Sequence, residues 1–276
     1  MLSSLNIVEQ LGDVIADEFV QRPPTIGLIG LSGVGKSSTI NAMFGTKLTV
    51  SATTRGTKRF WPHRFSIEGK KLLNRSIPAG LTVYDAVGLG EDLALDENYL
   101  ERYAEHLPKC DLAIWVVAAR NRAVALDQLY MQRLGQILPP TIIAVNQVDL
   151  IEPLNWRDTL NLPSGDQEKH LATIMQDRKG KFSTLIGQDV PLVAYSAKRF
   201  YRLETLWNAV VAHAPKGRKW MFELIKGFSV DNWLDQATGL SEAQKQEIRR
   251  QSGKDEPGQM SLISAINHAL MRRLRT

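Results

Sequence analysis

Among its 276 residues the chain has one cysteine, Cys110, so no internal disulfide can form. A fold that does without disulfides fits a reducing compartment. The longest apolar run, Leu112 to Ala119, is eight residues, whereas a membrane-spanning helix needs about 20. Residues 1–21 interleave Glu9, Asp13, Asp17 and Glu18 with their apolar positions; a secretion signal has a cationic start and an unbroken apolar stretch instead. There is no internal repeat, no low-complexity tract and no G-x-S-x-G nucleophile motif. His63 and His106 stand alone, without the cysteine or carboxylate spacing of a metal site. The six tryptophans, Trp61, Trp115, Trp156, Trp207, Trp220 and Trp233, are scattered and read as packing residues rather than a base-stacking platform. What remains is a globular composition, with 43% hydrophobic and 23% charged residues, which excludes a disordered or fibrous chain. The expectation is a cytoplasmic protein of one large domain with a smaller attachment.

The net charge of +5 is unevenly placed. Residues 216–276 hold eleven Lys or Arg against seven Asp or Glu, leaving residues 1–215 close to neutral. A basic tail of this kind serves a nucleic acid, an anionic lipid or an acidic partner, or is a solvated face.

Residues 2–19 place Leu5, Val8, Leu11, Ile15 and Phe19 at helical spacing, and Pro23-Pro24 ends the pattern. Beyond it, Thr25–Ile29, Phe60–Ile67, Leu81–Tyr84, Leu112–Ala118, Thr141–Val145 and Pro191–Tyr195 read as strands, with a hairpin turn at Glu68-Gly69-Lys70. Helices are expected at Lys36–Phe44, Asn98–Leu107 and Ala125–Ile137. Strands alternating with helices imply an α/β chain with a mostly parallel sheet and helices on both faces. Residues 152–189 read as a polar insertion with a helix near Gln167–Arg178. Residues 216–276 carry no strand signal, only helical patterns near Trp220–Ile225, Ser241–Arg250 and Gln259–Arg275. The division expected is 1–24 as an amphipathic helix, 25–215 as the α/β domain and 216–276 as a helical extension.

Gly30-Leu-Ser-Gly-Val-Gly-Lys-Ser37 fits G-x-x-x-x-G-K-[ST] at every fixed position and lies between a strand and a helix. The glycines let backbone amides turn inward around a β-phosphate, and the helix N-terminus adds partial positive charge. Lys36 would reach the β- and γ-phosphates, and the Ser37 hydroxyl would hold Mg²⁺. Asp85-Ala-Val-Gly88 fits D-x-x-G: its carboxylate can hold Mg²⁺ through water and the Gly88 amide can bond the γ-phosphate. Asn146-Gln-Val-Asp149 fits N-[KQ]-x-D, where a carboxylate accepts from N1 and the 2-amino group of guanine. Adenine cannot offer that pair, and the unpaired buried carboxylate is what rejects it. Ser196-Ala197-Lys198 is a turn that places an amide near guanine O6. Each of the last three strings is weak alone; all four in this order, each at a strand's C-terminal end, are specific for a guanine nucleotide.

Taken together, Gly30–Ser37, Thr54, Asp85–Gly88, Asn146–Asp149 and Ser196–Lys198 resemble the Era/TrmE-like GTPases. The segments Tyr84–Asp92, Leu107–Trp115 and Asn121–Ala123 are similar to the bacterial YfjP/YeeP-like group. The resemblance covers about residues 25–213 and stops at the tail. It implies a Ras-like P-loop GTPase fold, bacterial cytoplasm, GTP, GDP and Mg²⁺ as ligands, and a cycle between GTP and GDP forms. It places nucleotide contacts at Gly30, Ser32, Gly33, Val34, Gly35, Lys36, Ser37, Ser38, Asp85, Gly88, Asn146, Gln147, Asp149, Ser196, Ala197 and Lys198. By similarity to the T-T-R pattern, Thr54 rather than Thr53 or Thr57 is the third Mg²⁺ ligand beside Ser37 and Asp85. Lys36, Thr54 and Gly88 then act on the γ-phosphate.

Three positions depart from that pattern. Gln147 stands where most GTPases have a lysine packed on the guanine face. Leu89 stands where Ras-type proteins have the glutamine that orients the attacking water, although Era-like GTPases share an apolar residue there. Gly33 replaces the asparagine of potassium-activated relatives. The expectation is Mg²⁺-dependent hydrolysis of GTP; the alternative is a GTP-gated binding module whose hydrolysis is negligible. The regulated partner stays open: a second copy through the switch face, or RNA, a ribosome or an anionic membrane through the basic tail. In that tail Ile263, Ile266, Leu270 and Leu274 form an apolar stripe ending in Arg272, Arg273 and Arg275. The stripe either docks on the α/β domain or meets a partner.

Overall fold

The computed structural model describes residues 4–44, 61–67, 71–72, 75–76, 79–90, 93–121, 124–187, 189–225, 241–243 and 245–246. Its centre is β6 (Leu112–Ala118), whose seven residues are all buried. Such a run marks an inner strand of a parallel sheet covered on both faces. Flanking it are β1 (Thr25–Ile29) and β7 (Thr141–Asn146), then β5 (Ala79–Asp85) outside β1 and β8 (Leu192–Ala194) outside β7. These five run parallel; β2 (Trp61–Ile67) closes the edge antiparallel to β5, giving the order β2-β5-β1-β6-β7-β8. A separate two-stranded ladder joins β3 (Lys71–Leu72) to β4 (Arg75–Ser76).

Alternation along β6 divides the core. Leu112, Ile114 and Val116 face a cluster with α1 (Ser4–Gln21), α2 (Lys36–Phe44), α6 (Leu203–His213) and α7 (Lys219–Ile225), whose Phe19, Ile40, Trp207 and Trp220 are buried there. Ala113, Trp115 and Val117 face a second cluster with α3 (Leu93–His106), α4 (Ala125–Leu134) and α5 (Gly165–Ile186), through Tyr103, Tyr130 and Phe182. Phe19 meets Trp220 edge-on at 5.6 Å, so the first and last described helices share one core.

The structure alters several expectations. Residues 152–189 are no insertion: α5 is the crossover from β7 to β8, with Leu171 and Phe182 buried in the second core. It runs past both expected ends because Ser164 and Gln167 form a reciprocal cap and Gly187, at φ 74°, stops it. Helix α3 starts at Leu93, five residues before the expected Asn98. Asp96 in its first turn accepts from the Gly90 amide, which ties the helix start to the preceding loop. Helix α6 was not foreseen, although Leu203, Leu206, Trp207 and Val210 recur at helical spacing and are all buried. Helix α4 ends at Leu134, with a 3₁₀ turn over Gly135–Ile137. The expected Glu68–Lys70 turn and the helix at Gln259–Arg275 lie outside the described residues, as does half of Ser241–Arg250.

Candidate nucleotide site

The phosphate-type loop leaves β1 at Gly30, where φ is 136° and a Cβ would lie 2.3 Å from the Val116 carbonyl oxygen. Only glycine takes this conformation beside that strand. Gly35, at φ 92°, would drive a Cβ to 2.4 Å from Asn146 Nδ2, so the loop and the base-type motif touch across bare backbone. Lys36, opening α2, is buried and donates from Nζ to the Gly30 and Leu31 carbonyls at 3.0 and 2.8 Å. One turn later Thr39 Oγ1 donates to the Gly35 carbonyl at 2.8 Å and lies 2.7 Å from the Tyr195 hydroxyl. Burial pushes the Tyr195 phenol far above its ordinary value, so it stays a neutral hydrogen-bonding brace between α2 and the end of β8.

The second loop is sewn to the first. Ser37 Oγ donates to Asp85 Oδ2 at 2.8 Å, bringing two oxygen groups together at the mouth of the loop. Gly88 passes so close to Ser32 that a Cβ would sit 2.6 Å from its Cα. The Ser32 amide donates to the Leu89 carbonyl at 2.9 Å, and the Leu89 amide reaches the Gly30 carbonyl at 3.4 Å. The Tyr103 hydroxyl donates to the Val87 carbonyl at 2.6 Å. Asp96, itself buried, accepts from the Gly90 amide and from the Tyr130 hydroxyl. The Leu89 side chain points into the second core and is fully buried. Thr54, with Thr53 and Thr57, lies outside the described residues.

At the far side the base-type motifs form one unit. Asn146 Nδ2 donates to the Val34 carbonyl at 2.9 Å, and its Oδ1 accepts from the Ala197 amide at 3.0 Å. Ser196 Oγ donates to Asp149 Oδ1 at 2.6 Å and accepts from the Arg199 amide at 3.1 Å. Asp149 is thereby aimed while 6% exposed. Gln147 adopts φ 63° and donates from Nε2 to the Gly33 carbonyl at 3.0 Å. The amide at this position therefore caps the phosphate-type loop. Lys198 is exposed.

Of the residues singled out from sequence, the structure gathers Gly30–Ser37, Asp85, Gly88, Asn146, Gln147, Asp149, Ser196 and Ala197 at the C-terminal ends of β1, β5, β7 and β8. Sequence reasoning missed the braces: Thr39, Tyr195, Asp96, Tyr103 and Tyr130. Thr39 and Tyr195 each sit within three residues of a motif, which is the signal that was there; the others carry none. A cavity of about 800 Å³ is lined by Ala119, Leu150, Ile174 and Arg178 among others, none of them a motif residue.

A mostly parallel sheet in this order, with these loops at one end, has the Ras-like P-loop GTPase fold. Comparison with known proteins agrees. Residues 25–147 match the family model described as a 50S ribosome-binding GTPase. YkfA and YfjP of Escherichia coli strain K12 are each 34% identical to this chain over 112 residues. Those matches cover 39% of this chain and 35% of each relative, so the aligned stretch spans about a third of the relatives' length. Both are described as uncharacterized and lend no activity. In structure, a variant of Era from Aquifex aeolicus, bound to GDP and AlF4⁻, superposes with a TM-score of 0.53 at 18% identity. It covers 70% of this chain and 57% of that one, a likeness of fold.

Proposed function

We propose that this chain binds GTP and hydrolyses it to GDP and phosphate in a Mg²⁺-dependent cycle that regulates a partner. The observation that carries the base is the Ser196–Asp149 pair held beside Asn146. A carboxylate fixed by a hydroxyl and largely withdrawn from water needs the paired N–H donors of guanine N1 and the 2-amino group. Asp149 and Ser196 select the base while Asn146 holds their two loops in register with the phosphate loop.

For the phosphates, the loop amides and the α2 N-terminus supply the cradle. The Lys36 ammonium, now taken up by the Gly30 and Leu31 carbonyls, is placed to exchange them for phosphate oxygens. The Ser37 hydroxyl and Asp85 carboxylate are hard oxygen donors in contact, which fits Mg²⁺ rather than a thiophilic metal. Ser37 would hold the ion directly, Asp85 through water and Thr54 from the other side. When bound, the ion would neutralise charge developing on the β- and γ-phosphate oxygens. The Gly88 amide would bond the γ-phosphate, and its loss on hydrolysis would release Thr54 and Gly88.

The buried Leu89 favours a second reading, a GTP-gated binding module with negligible hydrolysis, since a fully buried apolar side chain cannot orient an attacking water. Multiple-turnover phosphate release from GTP by purified protein separates the two. Turnover that Lys36→Ala abolishes supports the enzyme; tight GTP binding without turnover supports the module. In either case the basic tail is proposed to contact RNA, a ribosome or an anionic membrane. Full-length and 1–215 protein, co-sedimented with RNA or anionic vesicles across a salt series, test it, because such contacts weaken with salt.

A further inference from the structure

Between β7 and α5 the chain folds a small hairpin that none of the four motifs includes. The backbones of Arg157 and Leu162 pair in both directions, at 2.9 and 3.3 Å. Within the hairpin Asn161 is fully buried and held at φ 50°, a left-handed conformation. Its Oδ1 accepts from Trp156 Nε1 at 3.3 Å, and its Nδ2 donates to the Arg199 carbonyl at 2.9 Å. Arg199 directly follows Ser196-Ala197-Lys198. The same hairpin grips that turn twice more. The Trp156 ring stands edge-on to Tyr201 at 5.2 Å, and Arg199 lies over Trp156 at 5.9 Å while pairing with Asp158 at 2.5 Å. Tyr201 in turn exchanges two backbone bonds with Ser196, both 3.0 Å. The turn that carries Ser196 and Ala197 is therefore clamped from outside by Trp156 and Asn161.

We propose that Asn161, held by Trp156, is a positioning residue for guanine specificity. It fixes the 196–199 turn at the distance that lets the turn read the 6-oxo group of the base. This deepens the nucleotide reading above and rests on it. Asn161 suits the task because its side chain offers a donor and an acceptor at once, and asparagine tolerates the left-handed backbone better than most residues.

The test compares GDP with the diphosphate of 2-aminopurine riboside, a base that keeps the 2-amino group and lacks the 6-oxo group together with the N1 hydrogen. Binding is measured by calorimetry on full-length wild type, Asn161→Gly and Trp156→Phe. Glycine keeps the backbone conformation and removes both side-chain bonds; phenylalanine keeps a ring and removes only the indole donor. GDP affinity is expected to fall about tenfold in Asn161→Gly and less in Trp156→Phe. Affinity for the 2-aminopurine nucleotide should stay within about twofold, since its contact with the turn is already missing. An equal fall for both nucleotides, or no fall for GDP in folded Asn161→Gly, overturns the proposal. Wild-type protein that binds ADP as well as GDP overturns the guanine reading itself, and the proposal with it; the two failures are distinct.

Discussion

Replacing Asn146 by alanine should destabilise the protein even when no nucleotide is present. The side chain is a two-way strut: it donates to the Val34 carbonyl at 2.9 Å and accepts from the Ala197 amide at 3.0 Å. Val34 and Ala197 are 1% and 4% exposed, so water cannot readily replace either bond. Leaving a buried backbone group without its partner costs about 1–3 kcal/mol. Two such groups put the expected loss at about 2–6 kcal/mol, a large share of the 5–15 kcal/mol typical of a whole domain. The assay is urea unfolding of nucleotide-free wild type and Asn146→Ala, read by fluorescence of the buried tryptophans. The midpoint should drop while the slope, which follows exposed surface, stays the same. A variant that unfolds at the wild-type midpoint without nucleotide would refute the strut and leave Asn146 a base ligand alone.

Three further outcomes follow from the same contacts. Lys36→Ala should weaken GTP binding by at least about tenfold, in line with the loss of a charged hydrogen-bond donor, with unchanged circular dichroism; titration with a fluorescent GTP analogue checks it. Asp149→Asn should shift preference from GTP toward xanthosine triphosphate, because an amide offers a donor where the guanine N1 group also donates; competition calorimetry reads the exchange. Burial raises the Asp127 carboxyl to about 6, even though Trp115 Nε1 donates to it at 2.9 Å and Arg178 and Lys36 are near. The unfolded chain loses that proton at lower pH, so the contribution is present below about 4 and is lost as pH rises through 6, about 3 kcal/mol in all. Asp127→Asn keeps the Trp115 bond and has no proton to lose. It should match wild type at pH 4 and exceed it at pH 7.5, and a difference independent of pH would count against the shift.

What could be read from the sequence is whatever has a fixed local period or spacing. β6 announces itself because an inner parallel strand must be apolar on both faces, and the Gly30–Ser37 loop because its glycines answer to backbone geometry. Helix α6 was equally legible, since Leu203, Leu206, Trp207 and Val210 recur at helical spacing. Helix α5 was misjudged for a physical reason. Its exposed face is polar, and few buried residues, Leu171 and Phe182 among them, tie it to the core. Composition alone therefore resembles an insertion. The braces around the site were not legible at all. The Asp96–Gly90, Tyr103–Val87 and Asn161–Arg199 contacts join side chains to backbone groups whose partners depend on how the loops cross. No spacing encodes such a bond.

Leu89 stands where Ras-type proteins have a glutamine, and its burial gives it a packing role. In Ras-type proteins the residue after D-x-x-G points a carboxamide at the attacking water. Here the side chain is fully buried among Ile29, Trp115 and the residues around them, while both of its backbone groups bond the phosphate-type loop. The backbone holds the second loop in register and the side chain anchors it, so exchanging the side chain cannot by itself supply catalysis. Leu89→Gln should therefore fail to raise single-turnover GTP hydrolysis. It should also cost about 2–4 kcal/mol of stability, because it buries an amide in an apolar site and removes the leucine's contacts. Rapid-quench phosphate release and urea unfolding of the same preparation read the two effects together. Faster hydrolysis with unchanged stability would show that the side chain reaches the nucleotide after all. Unchanged hydrolysis with reduced stability would leave Leu89 a packing residue alone.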